Sequence, residues 1–411
     1  MKNTMNYLLI LLSLVFISCE KDDNGPDYPT EEKEIVLSTN SKEMVSSDNQ
    51  FGIEIFKRML NADQGNLMIS PLSISQALLM TYNGADCDTK KAFEETLFLN
   101  DLTIEEVNQS AQELVNALLE VDPGVIIDIA NSIWYRDGYT IKPEFIHVNE
   151  DYYNAEVKQL VFNDEAVDII NAWVKDKTND KIEEIIDSID QMTLMFLINA
   201  VYFKGNWKYQ FKESNTVNDE FTLSNGGKIT VPFMHQSITA NVMNHDDFTI
   251  LDLLYGCGNF SMFIILPDED KTIDDVLELW NNDTYNQWLT DFIEVGELDV
   301  VIPKFKFAYE KELNDVLKDM GLALAFDSDQ ADFSNIIEDM QLFISKVKHK
   351  TFVEVNEEGT EAAAVTSVEV GFTSIGPSNQ FVADRPFIFV IREKYTNSIL
   401  FMGRVEDPSK E

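Results

Sequence analysis

The residues with the most informative types and spacing form a run of small side chains at 360–370, directly after Glu357-Glu358-Gly359. Successive residues of an extended chain point to opposite faces. One face of this run is uncharged and consists of Thr360, Ala362, Ala364, Thr366, Val368 and Val370. The other face consists of Glu361, Ala363, Val365, Ser367 and Glu369. The chemistry that this pattern favours is backbone hydrogen bonding, in which the segment joins a sheet as an added strand with one buried face.

Other kinds of chemical site are not supported by the sequence. Motifs of serine hydrolases, zinc peptidases and P-loop NTPases are absent. Asp327, Asp329 and Glu338 have the spacing of calcium ligands. However, Ala331 and Asp332 stand where such a loop needs an oxygen ligand and a glycine. We therefore predict no catalytic residue, no metal site and no cofactor.

The charge of the chain restricts its partners. Lys and Arg number 31 against 72 Asp and Glu, which gives a formal net charge of −41. Such a surface repels nucleic acid and anionic lipid and keeps a protein soluble. We expect a monomer that binds no nucleic acid.

The elements that must hold the small-residue run follow from periodicity. Apolar residues recur at helical spacing mainly in the first half of the chain, at 51–60, 70–82 and 169–174. Strand patterns dominate later, at 196–203, 261–266, 298–302, 387–391 and 399–402. Helices first and strands later, without regular alternation, predict an α+β fold with large antiparallel or mixed sheets.

The N-terminal residues differ from the rest. An apolar run at 7–17 follows Lys2, has the length of a signal peptide and is too short to span a bilayer. It ends in a sequence around Cys19 that resembles a bacterial lipobox, which implies that Cys19 is lipidated; an ordinary signal peptide is the alternative. Residues 20–45 are polar, contain Pro26 and Pro29 and are predicted to be a tether. We expect an exported lipoprotein of the outer membrane, exposed at the cell surface and held by its lipid alone, with one folded domain at 46–411.

On its own the small-residue run is also compatible with an Ala-rich linker or a short surface helix. Its flanks favour a different interpretation, because the run resembles the hinge and reactive loop of serpins. Further stretches resemble serpin segments in the family's order, and they lie at 66–78, 197–211, 344–350, 381–391 and 398–408. The resemblance covers about 46–408. It implies the serpin fold, with a large central mixed β-sheet, further sheets, about eight to nine helices and an exposed reactive loop at about 357–377.

The resemblance also implies a function and a set of residues. A serpin that inhibits is a suicide substrate: a serine or cysteine protease cleaves the loop, and the loop then inserts into the central sheet. The hinge of this chain is Glu357, Gly359, Thr360, Glu361, Ala362, Ala363 and Ala364. The "shutter" beneath the central sheet is Ser70, Ser73, Asn199 and His349. The "breach", where the loop first enters, is Trp207, Lys304 and Glu357. A non-inhibitory serpin that serves as a surface binding protein is the alternative.

Family spacing places the reactive bond at Thr373–Ser374, sixteen residues after Glu357, with Phe372–Thr373 as the alternative. The first choice implies elastase-like or papain-like targets, and the second implies chymotrypsin-like or subtilisin-like ones. Trypsin is disfavoured because no Lys or Arg lies between Lys350 and Arg385. Heparin binding is not expected, because the corresponding region after Lys91 is acidic as far as Arg136.

Overall fold

A computed structural model describes residues 31–99, 102–338, 340–360 and 379–411. The described part contains nine α-helices. They are α1 Thr39–Ala62, α2 Pro71–Tyr82, α3 Cys87–Thr96, α4 Ile104–Glu120, α5 Pro143–Tyr153, α6 Asp164–Lys177, α7 Ile273–Leu279, α8 Asn282–Thr290 and α9 Asn314–Asp319. None of the helices described is both long enough and apolar enough to cross a bilayer.

Fifteen strands are described. They are β1 Leu67–Ile69, β2 Val125–Arg136, β3 Glu156–Leu160, β4 Met195–Asn206, β5 Val217–Thr222, β6 Lys228–Asn244, β7 Phe248–Tyr255, β8 Phe260–Pro267, β9 Ile293–Pro303, β10 Phe305–Glu312, β11 Lys348–Val355, β12 Gly359–Thr360, β13 Gln380–Val382, β14 Phe387–Glu393 and β15 Ile399–Val405.

These strands form two mixed sheets. A nine-stranded sheet has the order β1-β15-β14-β8-β7-β6-β9-β13, and β5 pairs with β6 beside that path. A six-stranded sheet has the order β10-β11-β12-β4-β2-β3. Its β2 and β3 are parallel, whereas its other neighbours are antiparallel. The predicted α+β class with large mixed sheets is confirmed.

The core lies between these sheets and the helices. The last two strands are buried along their whole length, as expected for strands covered on both faces. Helix α2 begins beneath the six-stranded sheet. The side chain of Ser70 caps it, and Pro71 occupies its first turn, where the missing N–H leaves no hydrogen bond unmade. The six-stranded sheet therefore rests on a helix whose start is defined by sequence.

The boundary between tether and domain needs correction. The prediction placed 20–45 in the tether, but α1 begins at Thr39 and Ser38 accepts a hydrogen bond from the Ser41 N–H as its N-cap. Leu37 is buried in the core. The Glu32 carboxylate accepts a hydrogen bond from Lys394 Nζ at 2.7 Å. Residues from Glu32 onward are therefore part of the folded domain, held by contacts that a polar composition does not reveal.

Candidate functional site

Among the described residues, the six-stranded sheet has a gap along one line, which we call the seam. Its two sides are 195–204 of β4 and 348–354 of β11, which take their hydrogen-bonded partners from β2 and β10 on their outer edges. Between them the structure describes only β12, and it reaches one end: Gly359 pairs with Asn206, and Thr360 pairs with Gly205 and Val355. Below Thr360, no described strand pairs with either inner edge. The seam is therefore a place where one more antiparallel strand fits.

The short strand β12 is held tightly. A Cβ atom at Gly359 would lie 2.0 Å from the carbonyl oxygen of Gly205, so only glycine fits against β4. Thr360 is 4% exposed, and its hydroxyl shares a 2.6 Å hydrogen bond with that of Tyr255. The ring of Tyr255 in turn stacks on Trp207 with centroids 4.4 Å apart. The Thr360 side chain is consequently buried beneath the sheet and hydrogen-bonded to Tyr255.

Glu357 is anchored just before that strand. Its carboxylate accepts a 2.7 Å hydrogen bond from Lys304 Nζ and a 2.6 Å hydrogen bond from the Thr216 hydroxyl. Burial alone would raise the pKa of Glu357, but these two donors outweigh it and hold the pKa below its ordinary value. Trp207 completes the anchor, since its Nε1–H donates to the carbonyl of Asn356 at 2.9 Å. The chain that leads into β12 is thus fixed by the ion pair of Glu357 with Lys304 and by the hydrogen bond from the Trp207 indole.

A buried histidine lies lower on the seam. His349 is 5% exposed, and its Nε2 accepts a 3.1 Å hydrogen bond from the backbone N–H of Ser70. The Ser70 hydroxyl oxygen accepts a hydrogen bond from the N–H of Ser73 at 3.2 Å. Because Nε2 is the acceptor, the proton of the neutral ring resides on Nδ1. Burial lowers the pKa of His349 to about 4, so the ring is neutral at physiological pH.

Comparison with known proteins identifies this architecture. The family model described as Serpin (serine protease inhibitor) matches residues 46–408. The chain belongs to the serpin family. A family of this kind inhibits proteases or binds ligands, so this serpin is not an enzyme.

Individual relatives agree over almost the whole chain. The human leukocyte elastase inhibitor is 36% identical over 386 residues, covering 89% of this chain and 100% of its own. The structure of Tengpin, a thermophilic serpin in the native state, superposes with a TM-score of 0.82 at 32% identity, covering 91% and 96% of the two chains. Human thyroxine-binding globulin complexed with thyroxine superposes equally well, with a TM-score of 0.82 at 29% identity. The match covers 90% of this chain and 100% of the globulin. The predicted serpin fold is confirmed.

The structure places part of the predicted site. It brings together the hinge residues Glu357, Gly359 and Thr360 with Trp207 and Lys304. The remaining hinge residues and both candidate reactive bonds lie outside the described residues, namely Glu361, Ala362, Ala363, Ala364, Phe372, Thr373 and Ser374. Cys19 also lies outside them. The roles inferred from the serpin resemblance therefore stay predictions, although the contacts at the start of the hinge are explicit.

One predicted contact is not made. Asn199 was expected to join His349 and the serines, but its Nδ2 donates instead to Asn131 Oδ1 at 2.7 Å on the neighbouring strand. Its Oδ1 has no hydrogen-bond partner. The physical reason is the open seam, since Asn199 lies on β4 and His349 on β11. Asn131, Thr216 and Tyr255 were not predicted from the sequence, because their contacts join residues that are far apart in the chain.

The anchor at Glu357 leads to a test with a matched control. We expect Lys304→Ala to destabilise this serpin by about 1–2 kcal/mol, because the enclosed Glu357 carboxylate loses its cation and keeps only uncharged donors such as the Thr216 hydroxyl. Lys306→Ala is the control, since its ion pair with Glu354 is 3.9 Å long and more exposed. Urea unfolding at pH 7 measures both. Equal losses in the two variants would contradict a special role for the Lys304 pair.

His349 leads to a prediction about acid. Above pH 6.5 the ring is neutral whether folded or unfolded; below it, the unfolded chain takes up a proton that the folded protein resists down to about pH 4. Acidification through this window should therefore remove up to about 3 kcal/mol of stability. We expect His349→Gln to lose less of its thermal midpoint between pH 7.5 and 4.5 than the wild type. The exposed His147→Gln is the control and should retain the wild-type acid sensitivity.

Proposed function

We propose that this serpin is a suicide inhibitor of serine or cysteine proteases. The observation that carries the proposal is the seam, in which Gly359 and Thr360 already pair with β4 and β11 at one end, and no other strand of the described chain pairs with the two inner edges. Loop insertion in serpins is a known case of strand addition to a sheet. The sequence that follows Thr360 offers one uncharged face of small side chains, which is what a buried strand face requires.

The mechanism follows from the covalent chemistry of the target. A protease attacks the loop, its nucleophile forms an acyl bond to the carbonyl of the scissile bond, and the amine of that bond is released as the new N-terminus of the C-terminal fragment. This fragment stays in the fold through β14 and β15, which are buried along their whole length. The cut loop is then free to enter the seam from Thr360 downward and to carry the attached protease with it. Deacylation is prevented because the displaced protease loses its active geometry. The serpin provides the peptide bond that is cleaved and the sheet that the loop enters, and the protease provides the nucleophile.

The similarity to thyroxine-binding globulin supports a second candidate, a serpin that binds a ligand without trapping a protease. The two functions differ in what the hinge must do. A binding protein does not need a hinge that is buried after cleavage, so it tolerates large or charged residues there. Here all six positions on the inward face are uncharged, and the largest is valine. The hinge therefore supports the inhibitor over the binding protein.

A protease panel tests the proposal. The purified protein would be incubated with elastase-, papain-, chymotrypsin- and subtilisin-like enzymes and examined on a denaturing gel. We expect a covalent complex with at least one of them. We expect none with trypsin, because trypsin cleaves after a cationic residue and this chain has no Lys or Arg between Lys350 and Arg385. Mass spectrometry of the C-terminal fragment, separated under denaturing conditions because β14 and β15 hold it in the core, identifies the bond. A fragment that begins at Ser374 supports Thr373–Ser374, and one that begins at Thr373 supports the alternative. Release of every protease in fully active form would refute inhibition.

We further propose that the protein acts at a membrane surface through a lipid on Cys19, as a surface-exposed lipoprotein of the outer membrane. The support is the apolar run that ends at this cysteine, followed by a polar stretch. Metabolic labelling with a fatty acid tests it. Cys19→Ala should abolish the label and release the protein from membranes, and a label that persists in the variant would rule the anchor out.

A further inference from the structure

A short turn joins β11 to β12. It consists of residues 356–359, and the residues on either side of it, Val355 and Thr360, pair with each other in the sheet. The backbone N–H of Asn356 donates to the carbonyl of Gly359 at 2.9 Å, which closes the turn. Because β12 consists only of Gly359 and Thr360, its own ladder bonds hold it weakly. Its position therefore depends on the turn that precedes it.

The side chain of Asn356 holds this turn. Its Oδ1 accepts hydrogen bonds from the backbone N–H of Glu358 at 3.0 Å and from that of Gly359 at 3.3 Å. Asparagine is favoured in turns for this reason, because its short side chain bonds to backbone groups a few residues further on. One oxygen atom thus accepts from both of the N–H groups that precede Thr360.

The chain that follows β4 holds the carbonyl groups of the same turn. The Nε1–H of Trp207 donates to the carbonyl of Asn356 at 2.9 Å. The backbone N–H groups of Trp207 and Phe211 donate to the carbonyls of Glu358 and Glu357 at 2.7 and 2.9 Å. Since all three of these groups are donors, they cannot satisfy the N–H groups that Asn356 Oδ1 accepts. The amide oxygen of Asn356 therefore does something that the neighbouring chain does not.

The register of β12 decides which face of the following chain is buried. Thr360 is 4% exposed and pairs with Gly205 and Val355. A strand that slips by one residue turns every side chain to the opposite face. In the sequence after Thr360, such a slip would exchange the uncharged face for the one that carries Glu361 and Glu369. Burying those carboxylates without cations would oppose insertion.

We propose that Asn356 is the positioning residue that sets the register of the inserting strand. Its amide oxygen fixes the N–H groups of Glu358 and Gly359, and this places Thr360 in the buried position beside Tyr255. The role rests on the proposed function, since the register matters only if the loop inserts. Asn356 acts through the backbone of the serpin and not on the protease, so its effect should be the same for every protease that cleaves the loop.

Three substitutions at this position test the role. Asn356→Ala removes the acceptor, Asn356→Gln moves it by one methylene group, and Asn356→Asp keeps it in place. We expect the number of serpin molecules consumed per protease trapped to rise at least fivefold in the first two variants and to stay within twofold of the wild type in the third. The rate of loop cleavage should be the same in all. Asn356→Asp as impaired as Asn356→Ala, or Asn356→Ala as effective as the wild type, would overturn the proposal.

Asn66→Ala is the matched control for a general loss of stability. Asn66 Oδ1 also accepts from two successive backbone N–H groups, those of Glu406 at 2.8 Å and Asp407 at 2.9 Å, which belong to the C-terminal segment and not to the hinge. We expect this variant to lower the urea midpoint about as much as Asn356→Ala and to keep the wild-type ratio within twofold. A rise equal to that of Asn356→Ala would show that the ratio reports destabilisation alone, and the assignment would fall.

A second readout separates this inference from the proposed function. With a cleaving protease in excess, samples taken at intervals show how fast the unfolding midpoint rises once the loop is cut. The rise should be at least fivefold slower in Asn356→Ala than in the wild type and in Asn356→Asp. Equal rates in all three would overturn the positioning role. A wild type that is stabilised faster than Asn356→Ala but never traps a protease would refute the proposed function and leave the role of Asn356 standing.

Discussion

Thr360→Arg is expected to convert this serpin from an inhibitor into a substrate. Thr360 is 4% exposed, and its hydroxyl is hydrogen-bonded to Tyr255 beneath the sheet. An arginine at this position would have to bury a cation with no carboxylate partner, which costs several kcal/mol. The arginine could not keep the place that Thr360 already holds between β4 and β11, so insertion would lose its starting point and the acyl bond would be hydrolysed first. The number of inhibitor molecules consumed per protease should rise at least tenfold, with cleavage of the loop unimpaired.

The matched control introduces the same side chain one residue later. Glu361 belongs to the opposite, charged face of the strand pattern, so Glu361→Arg replaces one solvated charge with another. We expect this variant to form the covalent complex nearly as well as the wild type. Gel titration against a fixed amount of protease compares the two directly. If both variants inhibit alike, insertion through Thr360 is not part of the mechanism.

Cleavage of the loop is expected to raise the unfolding temperature by about 10 °C or more. The inner edges at 195–204 and 348–354 have no described strand between them below Thr360, and an inserted strand would pair with both. Each added hydrogen bond contributes roughly 0.5–1.5 kcal/mol, so about ten of them contribute on the order of 10 kcal/mol. Each kcal/mol shifts the midpoint of a large domain by a degree or more. Calorimetry of intact and protease-nicked protein measures the difference.

The same experiment on Thr360→Arg supplies the control. Nicking should stabilise this variant much less, because the cut loop cannot pass its first buried position. An intact and a nicked wild-type protein with the same midpoint would show that the seam does not accept the loop. Stabilisation of Thr360→Arg equal to that of the wild type would show that the loop inserts by another route.

The fold and the residues at the start of the hinge could be predicted from the sequence. Periodicity alone finds three of the early helices and several of the later strands, and ordered motifs assign the family. Periodicity misses β2 and β3 in the first half of the chain and α7, α8 and α9 in the second. Lys304 and Glu357 were paired by resemblance, and the structure joins them at 2.7 Å. Such a pair is predictable because the two side chains carry opposite charges and each lies within a segment that resembles a serpin motif.

Several contacts could not be predicted from the sequence, because they depend on distances between elements that are far apart in the chain. The contact between Asn199 and His349 depends on how far β4 stands from β11, and strand spacing leaves no mark on either residue type. Tyr255 meets Thr360 across two sheets, at a sequence separation of 105 residues. Leu37 and Glu32 belong to the domain through tertiary contacts, although their surroundings have the composition of a linker.

The docked N-terminal segment sets where the molecule can work. Glu32 is fixed to Lys394 and lies 3.8 Å from Lys208, the residue after Trp207 at the end of the seam where the hinge enters. The chain from Cys19 to Glu32 can span at most about 45 Å. If the lipid proposed for Cys19 attaches the chain, the hinge end of the molecule is held within this distance of the membrane. The proposed targets would then be proteases that approach the surface to the same distance, and enzymes that diffuse farther away would be out of reach.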